Sequence, residues 1–384
     1  MTTVLIAIIY LSFVSLGLPD SLLGAAWPLM FGELCVPVSY AGIISTVITA
    51  GTIISALFSM RITRKIGAGA LTALSGLVTA LALLGFALAD SFLLIVLFSI
   101  PYGLGAGAVD SALNHYVANN FKSRHMSWLH CFWGVGAAIG PYIMSFALSI
   151  DKGWRTAYGS VFLIQLVLAA ILFISLPVWK KREESEEVES KRVSIIDAVS
   201  IRGVFPIMIA FFGYCAFETA AGVWISSYLV FSFEIPEASA AALASLYYIG
   251  ITLGRFVSGF VADKLGDKRE SRLGCIIMLI GAIIMALPFS THIPFIIGML
   301  IAGFGGAPIY PAVIHMTPSL FGKDSSETII GVEMASAYTG SAIAPPLFGL
   351  LSSFIGISTL PMYLAFFELL MTALFELGIR RSKG

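Results

Sequence analysis

The six residues GAAIGP at 136–141 return as GSAIAP at 340–345, 204 positions later. Two further pairs keep nearly the same distance. GLGAGA at 103–108 faces GFGGAP at 303–308, an offset of 200, and RKIG at 64–67 faces DKLG at 263–266, an offset of 199. Self-similarity at one offset is the mark of a repeated structural unit, so three such matches imply two homologous halves.

Composition says what each half is built from. The 384 residues are 58% hydrophobic and 11% charged, with a mean hydropathy of +0.94, whereas soluble domains run at roughly 45–50% apolar and 25% charged. The chain is therefore read as an integral membrane protein embedded in a lipid bilayer. A helical span needs about 20 apolar residues. Cutting at charged or turn-rich breaks predicts twelve, at 4–31, 40–60, 68–89, 92–120, 127–150, 156–179, 204–231, 238–262, 271–290, 293–318, 327–354 and 358–379. The loops are too short for a soluble domain. The first span has no Lys or Arg ahead of it, unlike a secretory signal, and is kept as a retained helix. All Lys and Arg residues except Lys152, Arg155 and Arg255 fall in alternate loops or in the tail. Positive loops stay in the cytoplasm, which places both termini there, with a bacterial inner membrane as the expected site.

The densest charged break, KKREESEEVESKR at 180–192, separates six spans from six. Mixed-sign charge in a short stretch stays solvated. The predicted organisation is a first half at 1–179, a charged cytoplasmic linker at 180–203 and a second half at 204–384. No basic block with interleaved aromatics points to nucleic acid. Cys35, Cys131, Cys215 and Cys275 lack the spacing of a zinc site or a disulfide framework. The absence of H-E-x-x-H, G-x-S-x-G and Walker motifs argues against an enzyme, and no metal or cofactor is expected.

GRFVSGFVADKLGDKR at 254–269 resembles the loop motif G-x-x-x-D-R/K-x-G-x-x-R/K of the major facilitator superfamily, carried here by Gly259, Asp263, Lys264, Gly266 and Arg269. The first-half copy, MRITRKIG at 60–67, has Met60 and Arg64 where the motif has Gly and Asp. The resemblance implies an all-α fold of two parallel six-helix halves related by an axis along the membrane normal, with a substrate site between them near the midplane. It also implies that spans 1, 4, 7 and 10 line the cavity and that the loop motif helps latch the cytoplasmic side. Within the superfamily the chain is similar to the fucose permease-like branch, through GLPDSLLGAAWP (17–28), GLGAGAVDSALNHYV (103–117), LHCFWGVGAAIGP (129–141), FETAAGVWISSYL (217–229) and GITLGRFVSGFVAD (250–263). That similarity implies proton-coupled sugar symport, with an acid in span 1 taking the coupling proton.

Ionisable groups inside the spans are few. A carboxylate at a bilayer centre costs roughly 2.5–3.5 kcal/mol on insertion scales, which demands a partner or water. Asp20, after Pro19 and near mid-depth, is either a proton-coupling acid or a carboxyl bound to the kink. Asp110 and Asn114 share one helix face, four residues apart, and offer an acid and an amide to solute hydroxyls; the alternative is a polar seam closed with His130. Glu218 is followed by Trp224 and Tyr228, the acid-and-aromatic combination of a sugar site, or it simply neutralises Arg255. Arg255 keeps its charge and needs an acid; helix rise makes Glu333 the best match in depth and Glu218 the second. Glu368 and Glu376 on span 12, and His115 and His315 near helix ends, read as structural or interfacial. The proton-coupling candidates are thus Asp20, Asp110 and Glu218, and the substrate-binding candidates Asn114, Trp224, Tyr228 and His130. The expected partners are a sugar-like solute and a proton, with a monomer as the working unit. Proton-driven efflux is the alternative: GVGAAIGP at 134–141 resembles an antiporter motif, although Met144 and Ser145 stand at its closing Gly-Gly.

Overall fold

The structure, a computed structural model, describes residues 2–121, 123–179, 194–288 and 290–382. No strand occurs among them. The first half contains α1 (Thr2–Asp20), α2 (Leu22–Glu33), α3 (Ala41–Ile66), α4 (Ala68–Leu88), α5 (Phe92–Asn120), α6 (Ser123–Ser149) and α7 (Gly153–Ser175). After the short α8 (Ile195–Ser200), the second half contains α9 (Val204–Phe233), α10 (Glu237–Leu265), α11 (Asp267–Ala286), α12 (Ile293–Gly306), α13 (Ile309–Phe321), α14 (Lys323–Ile355) and α15 (Leu360–Arg381). The predicted first span is broken at Ser21 into α1 and α2, and the tenth at Ala307 and Pro308 into α12 and α13. Of the predicted linker, residues 180–193 lie outside the described residues.

Among the described residues, ten helical stretches are long and apolar enough to cross a bilayer by length and composition alone. The other two predicted spans correspond to α11 and α14. Their first turns, beginning DKRE and KDSS, are polar, and both helices pack into the bundle all the same.

The repeat in the sequence is a repeat in packing. In the first half α3 and α4 pack on α5, α4 on α7, and α1 on α6; in the second, α10 and α11 pack on α12, α11 on α15, and α9 on α14. These are the same pairs six spans apart. The RKIG and DKLG matches end in glycines with φ of +85° and +73°, which stop α3 and α10 in a backbone region that a Cβ disfavours. The halves meet along α6 against α10 and α3 against α14, with α2 against α9 between them.

With an even number of crossings both chain ends lie on one face, here the terminal face. On the opposite, far face the halves are closed. Gly24 lies so near Gly222 that a Cβ on it would collide with the Gly222 carbonyl, Gly42 abuts Pro346, Ser39 abuts Gly349, and Phe31 meets Phe231 edge to face at 5.7 Å. Small residues permit this approach of backbones.

Candidate functional site

Between the halves lies a cavity of about 310 Å³. Its walls come from both halves: α1, α2, α3, α4, α5, α6 and α7 on one side, α9, α10, α13 and α14 on the other. Asp20, Asp110, His130, Glu218 and Arg255 all face it, so ionisable residues from five different spans converge on one space.

Asp20 ends α1, where the proline before it and the break at Ser21 expose the carboxyl to the lumen. Its Oδ1 accepts a 2.6 Å hydrogen bond from the Tyr102 hydroxyl and its Oδ2 a 2.9 Å bond from the Trp133 indole N–H. Two directed donors hold the carboxyl in place on the cavity wall. Asp110 accepts from the Asn114 amide at 3.0 Å, confirming their shared face on α5. Among the described residues the buried Asn114 carbonyl oxygen has no hydrogen-bond partner, and Asn114 is not on the cavity wall.

Arg255 is 7% exposed and makes contacts with both halves. Its guanidinium lies 3.6 Å from Glu218, donates a 3.2 Å hydrogen bond to the His130 carbonyl, and sits 4.9 Å over the Trp133 ring. The expected Arg255–Glu333 pair is not formed. Glu333 is fully buried and its two oxygens accept from the Thr317 hydroxyl at 3.1 and 2.9 Å, so the carboxyl faces α13 and not α10. Depth matched, azimuth did not.

Trp224 and Tyr228 do not line the cavity. Trp224 is fully buried and donates its indole N–H to the Pro345 carbonyl at 3.0 Å, while Tyr228 packs on Phe295 with ring centroids 4.4 Å apart. The cavity face of α9 is carried by Glu218, Thr219, Gly222 and Val223. Six residues after Glu218 corresponds to about 600° of helix rotation, a third of a turn off that face. The aromatic surface comes instead from Phe86, Tyr102, Trp133, Tyr158, Tyr248, Tyr310 and Tyr338. Trp133 is the residue that sequence reasoning most clearly missed. Its edge binds Asp20 of the first half and its face carries Arg255 of the second, so one indole joins the two charges. The available signal was that a membrane-embedded Trp or Tyr needs a partner for its N–H or O–H.

Glu368, Glu376 and His315 lie off the cavity wall. Glu376 takes a bidentate pair from Arg272 at 2.8 and 3.0 Å and a third bond from Arg380 at 2.9 Å. Glu368 is fully buried beside Thr372, and His315 meets Asp267 at 2.8 Å. Of the loop motif, Gly259 and Lys264 lie on α10, Gly266 caps it, and the Arg269 N–H donates to the Gly266 carbonyl at 3.1 Å; the Asp263 side chain lies outside the described residues.

A family model described as the Major Facilitator Superfamily matches residues 9–236 and 207–383. The chain belongs to the major facilitator superfamily. It is a multi-pass membrane transporter of small solutes and not an enzyme. Among relatives, it is 25% identical over 350 residues to the cis,cis-muconate transport protein of Acinetobacter baylyi, covering 85% of this chain and 82% of that one. It is 26% identical over 286 residues to the glucose/mannose transporter GlcP of Bacillus subtilis, covering 69% and 67%. A solved structure of a point mutant of the nucleoside transporter NupG superposes with a TM-score of 0.74 at 14% identity over 96% of this chain and 98% of that one, a likeness of fold alone.

Proposed function

We propose that this major facilitator carries a small polar solute, a sugar first, by proton-coupled symport of the fucose permease-like kind. The observation that carries the reading is the cavity itself. Asp20, Asp110 and Glu218 share it with Arg255, which pairs with Glu218, and hydroxyl-bearing aromatics contribute to its walls. Carboxylates and phenols offer directed hydrogen bonds to sugar hydroxyls, and ring faces offer stacking surface. Asp20 is the coupling acid in this reading, with Asp110 and Glu218 supporting it, and His130 and Trp133 contact solute. Access alternates by rocking of the halves about the α6–α10 and α3–α14 contacts. The loop motif at Gly259–Arg269 latches the terminal face, which the Lys and Arg bias places in the cytoplasm of a bacterial inner membrane. The linker at 180–203 joins the halves, and a monomer suffices.

A second reading rests on one detail. Among the described residues the buried Nε of Arg255, a residue of the cavity wall, has no hydrogen-bond partner, and a guanidinium with a spare donor fits a solute carboxylate. The muconate-transporting relative gives that reading its class, a small organic acid. The test is uptake into proteoliposomes under an imposed pH gradient, with hexoses and dicarboxylates in one panel. Symport requires gradient-driven accumulation that an uncoupler abolishes. Asp20→Asn keeps the shape and removes the charge, so it should lose accumulation yet retain exchange of solute present on both sides. Uphill accumulation that survives in Asp20→Asn moves the coupling role to Asp110 or Glu218. Accumulation favoured by an outwardly directed proton gradient selects efflux.

A further inference from the structure

Gln165 lies on α7, 1% exposed, inside the first half and away from the cavity wall. Two hydrogen bonds tie it to α1. Its Nε2 donates to the backbone carbonyl of Ser15, and its Oε1 accepts from the Ser15 hydroxyl. The amide orientation is fixed by chemistry, because a carbonyl oxygen only accepts and must be met by the NH2 end.

The carbonyl concerned is the one that proline chemistry leaves open. Pro19 has no N–H, so the i→i−4 bond that would satisfy Ser15 is missing, and Asp20 is the next residue. A backbone carbonyl abandoned in a membrane interior must find another donor. Gln165 is that donor. A small second cavity of about 10 Å³, near the size of one water, adjoins the kink, lined among others by Ser12, Ser15, Thr72, Thr79, Tyr102 and Gln165. Pro19 and Tyr102 are common to the walls of the small and the central cavity. The kink, its cap and the tyrosine that binds Asp20 are therefore contiguous.

We infer that Gln165 is a positioning residue for Asp20: by capping the Ser15 carbonyl that Pro19 leaves free, it holds the bend of span 1 that presents the Asp20 carboxyl to Tyr102, Trp133 and the lumen. The functional weight of this inference rests on the reading of Asp20 as the coupling acid. Asp110, His130, Tyr158, Glu218, Tyr248 and Arg255 also face the shared cavity from α5, α6, α7, α9 and α10, so any measurement must isolate Asp20. The Trp133 indole does so, since its N–H donates to the Asp20 carboxyl.

The experiment follows the pH dependence of Trp133 fluorescence in the full-length purified protein, taken as the difference from Trp133→Phe, with Asp20→Asn defining the part due to Asp20. Gln165→Met, which keeps length and loses the amide, should move the Asp20-dependent midpoint by about half a pH unit or more, roughly threefold in proton affinity. Pro19→Ala restores the N–H that satisfies Ser15, so in that background Gln165→Met should move the midpoint less than half as far and should also lower the melting temperature less. If Gln165→Met does not fold, Gln165→Asn, one methylene shorter and still polar, should move the midpoint as well. An unmoved midpoint in the variant that folds, or equal effects with and without Pro19, overturns the positioning role while leaving proton coupling intact. A wild-type protein with no Asp20-dependent titration overturns the coupling reading and, with it, the functional role of Gln165. The melting temperatures of the Pro19/Gln165 cycle still judge the cap by itself.

Discussion

Replacing Glu218 by Gln should cost far more stability than replacing Glu333 by Gln. The Arg255 guanidinium is 3.6 Å from Glu218, with side-chain exposures of 8% and 20%. At that separation and an effective dielectric of about 20, the Coulomb attraction is about 4.6 kcal/mol. A fifth of the Glu218 side chain is open, and Arg255 keeps the His130 carbonyl and the Trp133 face after the change. Discounting for both leaves a net loss of about 2–3 kcal/mol, below the 3–5 typical of breaking a fully buried pair. Among the described residues, the hydrogen bonds of Glu333 come from the Thr317 hydroxyl. A Gln carbonyl accepts that bond equally well, so the loss should be about 1 kcal/mol or less. The assay is reversible unfolding of each variant in detergent micelles, with Arg255→Gln and the Glu218/Arg255 double variant completing a mutant cycle. A coupling below about 0.5 kcal/mol, or a Glu333→Gln loss as large as that of Glu218→Gln, refutes the assignment of the pair.

Trp224→Phe should cost about 1 kcal/mol, from the lost bond to Pro345, and leave equilibrium solute affinity unchanged; binding weakened by it in isothermal titration would put Trp224 back in the site. Trp133→Phe should reduce gradient-driven accumulation, because Asp20 loses one of its two donors; accumulation equal to wild type argues that the indole bond is incidental. Thr46→Val removes a hydroxyl shared between the Gly42 carbonyl at 2.9 Å and, across the halves, the Ala342 carbonyl at 3.0 Å. Losing about 1 kcal/mol from the closed far face shifts the access equilibrium about fivefold, read as faster labelling of Ser39→Cys by an impermeant maleimide in a Cys35→Ser background. Gly24→Val places a Cβ against the Gly222 carbonyl and should hold the far face open, stopping turnover while solute still binds; normal turnover would show that this contact does not form the barrier.

The fold was legible because its determinants are local. Apolar runs, charged breaks and the glycines that stop α3 and α10 each announce themselves within a few residues, and the repeat then pairs the halves. The acids of the site were legible for a related reason, since a carboxylate at mid-depth is costly enough to be noticed singly. Their partners were legible only in part: Asn114 beside Asp110 and Glu218 as the second candidate for Arg255 were read, the first candidate for Arg255 was misplaced, and the donors to Asp20 were not seen. Depth along a helix follows from counting residues, and it brought Glu333 level with Arg255; the direction each side chain faces depends on how α13, α14 and α10 are rotated against one another, which no count supplies. The same limit displaced Trp224 and Tyr228 from the cavity and hid Trp133 and Tyr102, whose polar ends find Asp20 only after three helices pack. Gln165 was hidden differently, as an uncharged residue whose importance exists only in relation to a proline 146 positions away.

That relation has a counterpart at the meeting of the halves. Pro346 denies Ala342 its helical donor as Pro19 denies Ser15, and each carbonyl is answered from outside its own helix, by Thr46 and by Gln165 respectively. The difference is where the answer comes from. Gln165 and Ser15 belong to one half and move together, so that cap stays made through any rocking and fixes the angle at which Asp20 enters the cavity. Thr46 and Ala342 belong to different halves. When the far face opens, the Thr46 hydroxyl has the Gly42 carbonyl on its own helix to return to, while the Ala342 carbonyl comes within reach of water entering the gap. One chemical device, a proline-freed carbonyl and a side-chain donor, thereby serves as a rigid brace inside a half and as a separable contact between halves, and the cost of separating it is kept near one hydrogen bond.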